Sequence, residues 1–212
     1  MLINNKINHL KQAITNQVNT HNAHWQLMPL QRKLDFEKLK PDLNTKKSAV
    51  LLLFHPENDQ LKLVFIKRQI YDGVHSGQIA FPGGKVDKND KDFIHTALRE
   101  TEEEIGVSSN DIEIIGDLSE IFIPPSNFLV KPIIGFAYKK PDFKINPREV
   151  NQVFAVDTDK IISAAINYEN EIIISKTLKI KAPCFNLNGH IVWGATSMIL
   201  NELIFKLKTV TI

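Results

Sequence analysis

The stretch from Phe81 to Val107, FPGGKVDKNDKDFIHTALRETEEEIGV, constrains the fold more than any other, because it joins a glycine turn directly to a helix carrying a tight cluster of carboxylates. Lys91 to Ile105 reads as that helix: Asp90 or Asp92 can cap its start, and Gly106 is free to take the left-handed conformation that ends it. Ile94, Ala97, Leu98, Thr101 and Ile105 recur at the spacing of one apolar stripe. At about 100° per residue, Glu100, Glu103 and Glu104 share a different face, and Glu102 points elsewhere.

Like charges one turn apart repel by roughly 0.2–0.5 kcal/mol per pair, and no lysine follows at the spacing that would neutralise them. The cluster therefore calls for an external cation. Hard oxygen ligands suit Mg²⁺ or Mn²⁺, and Mg²⁺ is commonly held by a few carboxylates together with substrate phosphates and water. A glutamate-rich helix by itself is more often a solvated face. Here Pro82-Gly83-Gly84 stands just ahead of it, where the backbone turns sharply and brings bare peptide groups close to a metal or a phosphate.

Gly84, five residues, Asp90, and then Arg99-Glu100-Thr101-Glu102-Glu103-Glu104-Ile105-Gly106-Val107 resemble the Nudix box, G-x5-E-x7-R-E-U-x-E-E-x-G-U with U aliphatic. Asp90 stands where the family has Glu and is followed by eight rather than seven residues, and Thr101 replaces an aliphatic residue. Upstream, Val64 to Lys85 is similar to the Nudix subgroup that hydrolyses coenzyme A, through Arg68, Gly77, Phe81, Pro82, Gly83 and Gly84. Val64, Phe65, Ile66, Gln69 and Gly73 depart from that subgroup's signature, Gly73 standing in place of its second arginine. The likeness continues through Ile123–Phe128, Glu149-Val150 and the segment His190–Thr196, and covers roughly residues 48 to 205.

The resemblance implies a Nudix-type α/β/α sandwich with a mixed sheet. It implies metal-dependent hydrolysis of the pyrophosphate of coenzyme A or acyl-coenzyme A to 4′-phosphopantetheine and adenosine 3′,5′-bisphosphate. It assigns Glu100, Glu103 and Glu104 to the Mg²⁺ or Mn²⁺ site, with Glu100 or Glu103 orienting or deprotonating the attacking water. Glu149, just before the apolar stretch from Val150, is the candidate general base from outside the box, and Glu120 is a second. Arg99 is expected to hold box carboxylates by bidentate bonds, with Gly106 structural. Lys67, Arg68, Gly83, Gly84 and Lys85 are the substrate-binding candidates, Arg68 toward the 3′-phosphate of coenzyme A. His75 is placed at the entrance, and Asn127 and Phe128 on a loop against the pantetheine arm. The alternatives are another nucleoside diphosphate substrate, such as ADP-ribose or a diadenosine polyphosphate, and a nucleotide-sensing domain without turnover. All three carboxylates of the box core argue against the last.

A chain of 212 residues with 43% hydrophobic content can bury one substantial core. A formal charge of +2, with lysines in short dispersed pairs, speaks against a nucleic-acid surface, so the expected partner is a small nucleotide, and assembly as a homodimer is allowed. Cys184 is the only cysteine, which excludes an intrachain disulfide, points to the reducing cytoplasm, and reads as a small core residue. No signal-peptide core or membrane-length apolar run is visible, so a soluble, membrane-free protein is expected.

Ile7, Leu10, Ile14 and Val18 suggest an amphipathic helix, followed by a polar connection from His21 to Lys47. Residues 1–47 thus form an extension packed on a domain of residues 48–212. Ser48–Phe54, Leu61–Lys67, Ile112–Leu118, Leu129–Lys139 and Glu171–Ile180 read as strands, the first two joined by a turn at Pro56–Asp59. Asp157–Asn167 and Trp193–Lys208 read as helices.

Overall fold

A computed structural model describes residues 2–16, 18–29, 33, 40–70, 76–168, 170–173 and 179–210. Its centre is a mixed sheet of eight strands. Strand β1 (Lys46–Glu57) runs through the middle, parallel to β7 (Phe128–Phe136) and antiparallel to β2 (Gln60–Arg68). Asn58 and Asp59, at φ 52° and 58°, make the two-residue turn between β1 and β2, as short polar residues that tolerate the left-handed region can. Pro56 and Glu57, expected in that turn, belong to β1 instead.

Beyond Leu63, β2 leaves β1, and two short strands fill the wedge: β3 (Ile79–Ala80) pairs with β2, and β4 (Gly83–Lys85) pairs with β1. The Phe81-Pro82 link between them is held at 2.8 Å by Leu51 N–H donating to the Pro82 carbonyl. Outer positions are taken by β5 (Glu113–Asp117) and β6 (Ile121–Ile123) on β7, and by β8 (Val150–Asp157) on β2.

Ala49 to Phe54 is apolar without interruption because both faces of the sheet are covered. Ala49, Leu51 and Leu53 join Val64, Ile66 and Ile133 on one face, under Ala97 and Ile105 of helix α3 (Phe93–Ile105). Leu52, Phe54, Leu63, Phe65 and Ile134 pack on the other, with Leu10, Ala13 and Ile14 of α1 (Leu2–Thr15), Leu27 of α2 (His21–Leu27) and Leu200 and Leu203 of α5 (Gly194–Lys208). The short helix α4 is Thr158–Ser163. The result is the α/β/α sandwich with a mixed sheet, preceded by helical structure.

Several expectations are corrected. The connection from His21 contains α2, whose Ala23 and Leu27 are buried. Val18 lies beyond the end of α1. Ile94 is 39% exposed and its neighbour Phe93 packs on the core, so the helix stripe is Phe93, Ala97, Leu98, Thr101 and Ile105. Glu171–Ile180 is not one strand: β9 (Glu171–Ile173) pairs antiparallel with β10 (Lys179–Lys181). The helix expected over Asp157–Asn167 stops at Ser163. Strand β8 and the hairpin of β11 (Cys184–Leu187) with β12 (His190–Trp193) were not foreseen. Cys184 is buried, as a core reading requires. No helix among the described residues is long and apolar enough to cross a membrane.

Candidate active site

The glycine turn and α3 meet at Glu104. Asp92 caps the helix by accepting the His95 N–H at 2.7 Å, and Gly106 closes it at φ 70°. That fixes which side chains of the last two turns face the wedge between β1 and β2. Glu104 is 1% exposed; its Oε2 accepts the Gly83 N–H at 2.9 Å, and Oε1 lies 3.8 Å from Arg68 Nη1. Burial pushes this carboxyl up to about 7, against the pull of the Gly83 N–H and Arg68 and with the fields of Glu100 and Glu149 behind it. Gly83 must be glycine: it sits at φ 148°, and a Cβ would fall 2.3 Å from the Ala49 carbonyl oxygen. Gly84 lacks a Cβ for another reason, since the Glu100 carboxyl occupies that space at 2.3 Å.

Arg99 organises the rest. It grips Asp90 with two parallel bonds, Nε to Oδ1 at 2.9 Å and Nη2 to Oδ2 at 2.8 Å. Its Nη1 reaches Glu100 at 2.9 Å and Glu103 at 3.0 Å, and Nη2 also donates to the Lys85 carbonyl at 3.1 Å. Asp90 in turn accepts from the Asp87 N–H and the Thr96 hydroxyl and sits 2.8 Å from His95 Nδ1. The Arg99 guanidinium, with these further donors, holds the Asp90 carboxyl far below the usual range. The eight residues between Asp90 and Arg99 run through the Asp92 cap and the first turns of α3, and Asp90 still reaches Arg99 across them. Burial raises Glu100, with Arg99 opposing and Glu103 and Glu149 adding to the rise. Glu103 is half-exposed, and Glu102 is exposed and outside the cluster.

Glu149 reaches the same place from another part of the chain. The turn before it satisfies the end of α3, where the Lys144 N–H donates to the Ile105 carbonyl and the Asn146 N–H to the Glu104 carbonyl, both at 2.9 Å. Asn146 Nδ2 then donates to Glu149 Oε1 at 3.1 Å, while the Gln69 N–H takes the Glu149 carbonyl at 2.8 Å. Asn146 and Gln69 were not singled out from the sequence, although Asn146-Pro147 is a turn signal.

The remaining candidates separate. Strand alternation turns Arg68 toward α3 and Lys67 to the opposite face of the sheet. The Lys85 side chain is exposed. Glu120 follows Ser119, which is bound to Glu202 of α5, across the sheet from α3. Asn127, at φ 52°, bonds the Thr45 hydroxyl and the Asn44 carbonyl, and Lys46 Nζ stands 5.5 Å from the Phe128 ring centre. His75 and Gly73 lie outside the described residues.

Among the described residues no three acidic, histidine or cysteine side chains already converge on one point. The donor set still fits a hard divalent cation. Arg68 at 3.8 Å only partly compensates the buried, upward-shifted Glu104, and Arg99 is anchored by Asp90 independently of Glu100 and Glu103, so either glutamate can turn to a new cation without setting Arg99 loose.

The family model described as NUDIX domain matches residues 45–172, and the chain belongs to the Nudix hydrolases. An uncharacterized Nudix hydrolase NudL of Photorhabdus laumondii is 30% identical over 162 residues, 76% of this chain and 84% of its own. The human mitochondrial coenzyme A diphosphatase NUDT8 is 32% identical over 128 residues, 60% of this chain and 54% of its own. Among solved structures, a MutT protein from Methanosarcina mazei covers 80% of this chain and all of its own at a TM-score of 0.50 and 17% identity, a likeness of fold. Enzymes of this family generally need divalent metal ions.

Proposed function

We propose that this protein hydrolyses the pyrophosphate bond of coenzyme A or its thioesters, releasing 4′-phosphopantetheine and adenosine 3′,5′-bisphosphate, in the cytoplasm and with Mg²⁺ or Mn²⁺. The observation that carries the chemistry is Glu104, a carboxyl buried against the Gly83 N–H and flanked by Glu100 and Arg68. The coenzyme A specificity is supported by the segment Val64–Lys85 and by the relative named as a coenzyme A diphosphatase.

Glu104, Glu100 and Glu103 would hold the cation, which when bound neutralises anhydride oxygens and acidifies water. Glu104 is fixed and desolvated, so its charge acts at close to full strength on whatever cation it meets. Glu100 and Glu103, on the Arg99 clamp, orient the attacking water, and Glu149 takes its proton. Arg68, beside Glu104, bears on the pyrophosphate, and the bare backbone of Gly83-Gly84 admits the phosphates close to the sheet.

Coenzyme A, acetyl-coenzyme A, ADP-ribose and a diadenosine polyphosphate, each assayed with either metal and with products identified, test this reading. Coenzyme A or its thioester should give the highest kcat/KM. Efficient turnover of ADP-ribose with none of coenzyme A would instead make Gly73, in place of the second signature arginine, the informative residue.

A further inference from the structure

Strand β12 lies beside β3 at the edge of the main sheet. Alternation along it buries Val192 in the larger core and sends Ile191 and Trp193 to the small cluster around Cys184, which leaves His190 turned toward the main sheet. There His190 continues a row of rings. Phe81 stacks on Phe65 at 5.0 Å between centres, Phe65 on Phe154 at 5.5 Å, and Phe154 on His190 at 3.9 Å with 18° between planes. Phe81 and Phe65 are fully buried, whereas His190 is only half-buried, so the row begins in the core and ends at the surface. Burial lowers the His190 pKa, and the field of the Lys67 charge, on the same face of the sheet as Phe65, lowers it further.

We infer that His190, backed by Phe154 and flanked by Lys67, is the seat of the purine base and phosphate of the nucleotide half of the substrate. The inference rests on the proposed function for the identity of that nucleotide and on the ring row for its location. A flat neutral ring fixed on a rigid aromatic column offers a preorganised stacking surface that accepts any base, and a lysine beside it supplies charge for a phosphate. Position agrees. Lys67 and Arg68 are consecutive at the end of β2 and point to opposite faces, so the ring surface and the Glu104 cluster flank the same strand end without overlapping. A ribose separates the base of a nucleotide from its anhydride, and a base seat must therefore adjoin the carboxylates and not coincide with them. Lys67, and not Arg68, is then the residue that meets the 3′-phosphate.

The test uses the full chain with adenosine 3′,5′-bisphosphate as probe, by calorimetry, together with coenzyme A turnover. His190→Ala should weaken binding of the probe and raise KM roughly tenfold, the equivalent of about 1.4 kcal/mol, with little change in kcat. His190→Phe, which keeps a flat ring on Phe154, should restore both. Lys67→Ala should weaken coenzyme A more than dephospho-coenzyme A. Unchanged probe affinity in His190→Ala, failure of His190→Phe to rescue, or no probe binding by the wild type would each overturn the seat. If the wild type binds the probe through His190 yet cleaves only ADP-ribose, the seat stands and the coenzyme A reading falls.

Discussion

Glu104 carries a charge where the fold resists it. In the metal-free protein burial holds its carboxyl up at about 7, against an ordinary value of 4.5 in the unfolded chain. The native state therefore binds the extra proton between those values, and stability falls as pH rises through that window. Below it Glu104 costs nothing, and above it the loss is roughly 3 kcal/mol. Glu104→Gln keeps an acceptor for the Gly83 N–H and has no charge to bury. In chelator it should match the wild type at pH 4.5 and melt higher at pH 8, although most turnover is gone. A melting curve at each pH decides. Equal melting at pH 8 would mean that the carboxylate is not desolvated. Glu102→Gln, exposed on the far side of α3, should leave activity nearly unchanged. Helical angle was enough to separate Glu102 from its three neighbours, but it gives direction and not depth. That Glu104 is sealed and Glu103 half-exposed follows from the wedge of β3 and β4, which no local spacing encodes. The expectation for Arg68 was limited in the same way: charge suggested a phosphate, and only the fold puts it beside Glu104.

At the scale of elements, the glycine turn and α3 were legible because their signals are local: caps, a stripe, and glycines that permit unusual backbone. Strand β8 was hidden by exposed Asn151 and Gln152, and it is defined by pairing with β2, more than eighty residues earlier in sequence. The pair β9 and β10 was merged into one strand because Ile172, Ile173, Ile174, Leu178 and Ile180 read as a single β-rich run. What the box adds to these elements is a clamp. Asp90 is 1% exposed, and its paired bonds to Arg99 fix the loop before α3 to the helix itself. Arg99 is a quarter exposed, so water would partly replace its lost partner; Asp90→Ala should still melt below the wild type and lose the Glu100 and Glu103 geometry with it. Because the Asp90 pKa is depressed, the clamp contributes fully above the ordinary aspartate range and is lost only as pH falls below it. Acid melts should thus converge for wild type and Asp90→Ala. Gly84→Ala distinguishes a structural turn from a catalytic one: its new methyl meets the Glu100 carboxyl, whereas that of Gly83→Ala meets the β1 backbone. The first should reduce kcat with a modest change in melting, and the second should destabilise the fold.

For the whole molecule, the family match begins at residue 45, yet the sheet has a second face that β1 to β8 cannot cover alone. Helices α1, α2 and α5 close it. Sequence periodicity suggested a packed extension through Ile7, Leu10 and Ile14, and stopped short of α2 because seven residues hold too few turns for a pattern to register. Polar contacts lock the closure. Glu202 on α5, 1% exposed, meets His24 Nε2 at 2.7 Å, the Ser119 hydroxyl at 2.8 Å and the Thr20 hydroxyl at 3.1 Å, while Lys206 donates to the Asn16 carbonyl at 2.8 Å. We propose, accordingly, that α1 and α2 are part of the folding unit and not an appended tail. Leu27 is fully buried in the larger core, so Leu27→Ala leaves a cavity worth about 2–5 kcal/mol. For a chain of this length each kcal/mol moves the melting temperature by roughly 2–4 °C, which puts the expected drop at about 4–20 °C in a single cooperative transition. The carboxylates lie across the sheet from Leu27, so kcat/KM measured well below that transition should stay within about twofold of the wild type. A tail that merely rests on the domain would give a different record: an unchanged main transition, with the loss confined to a separate early step.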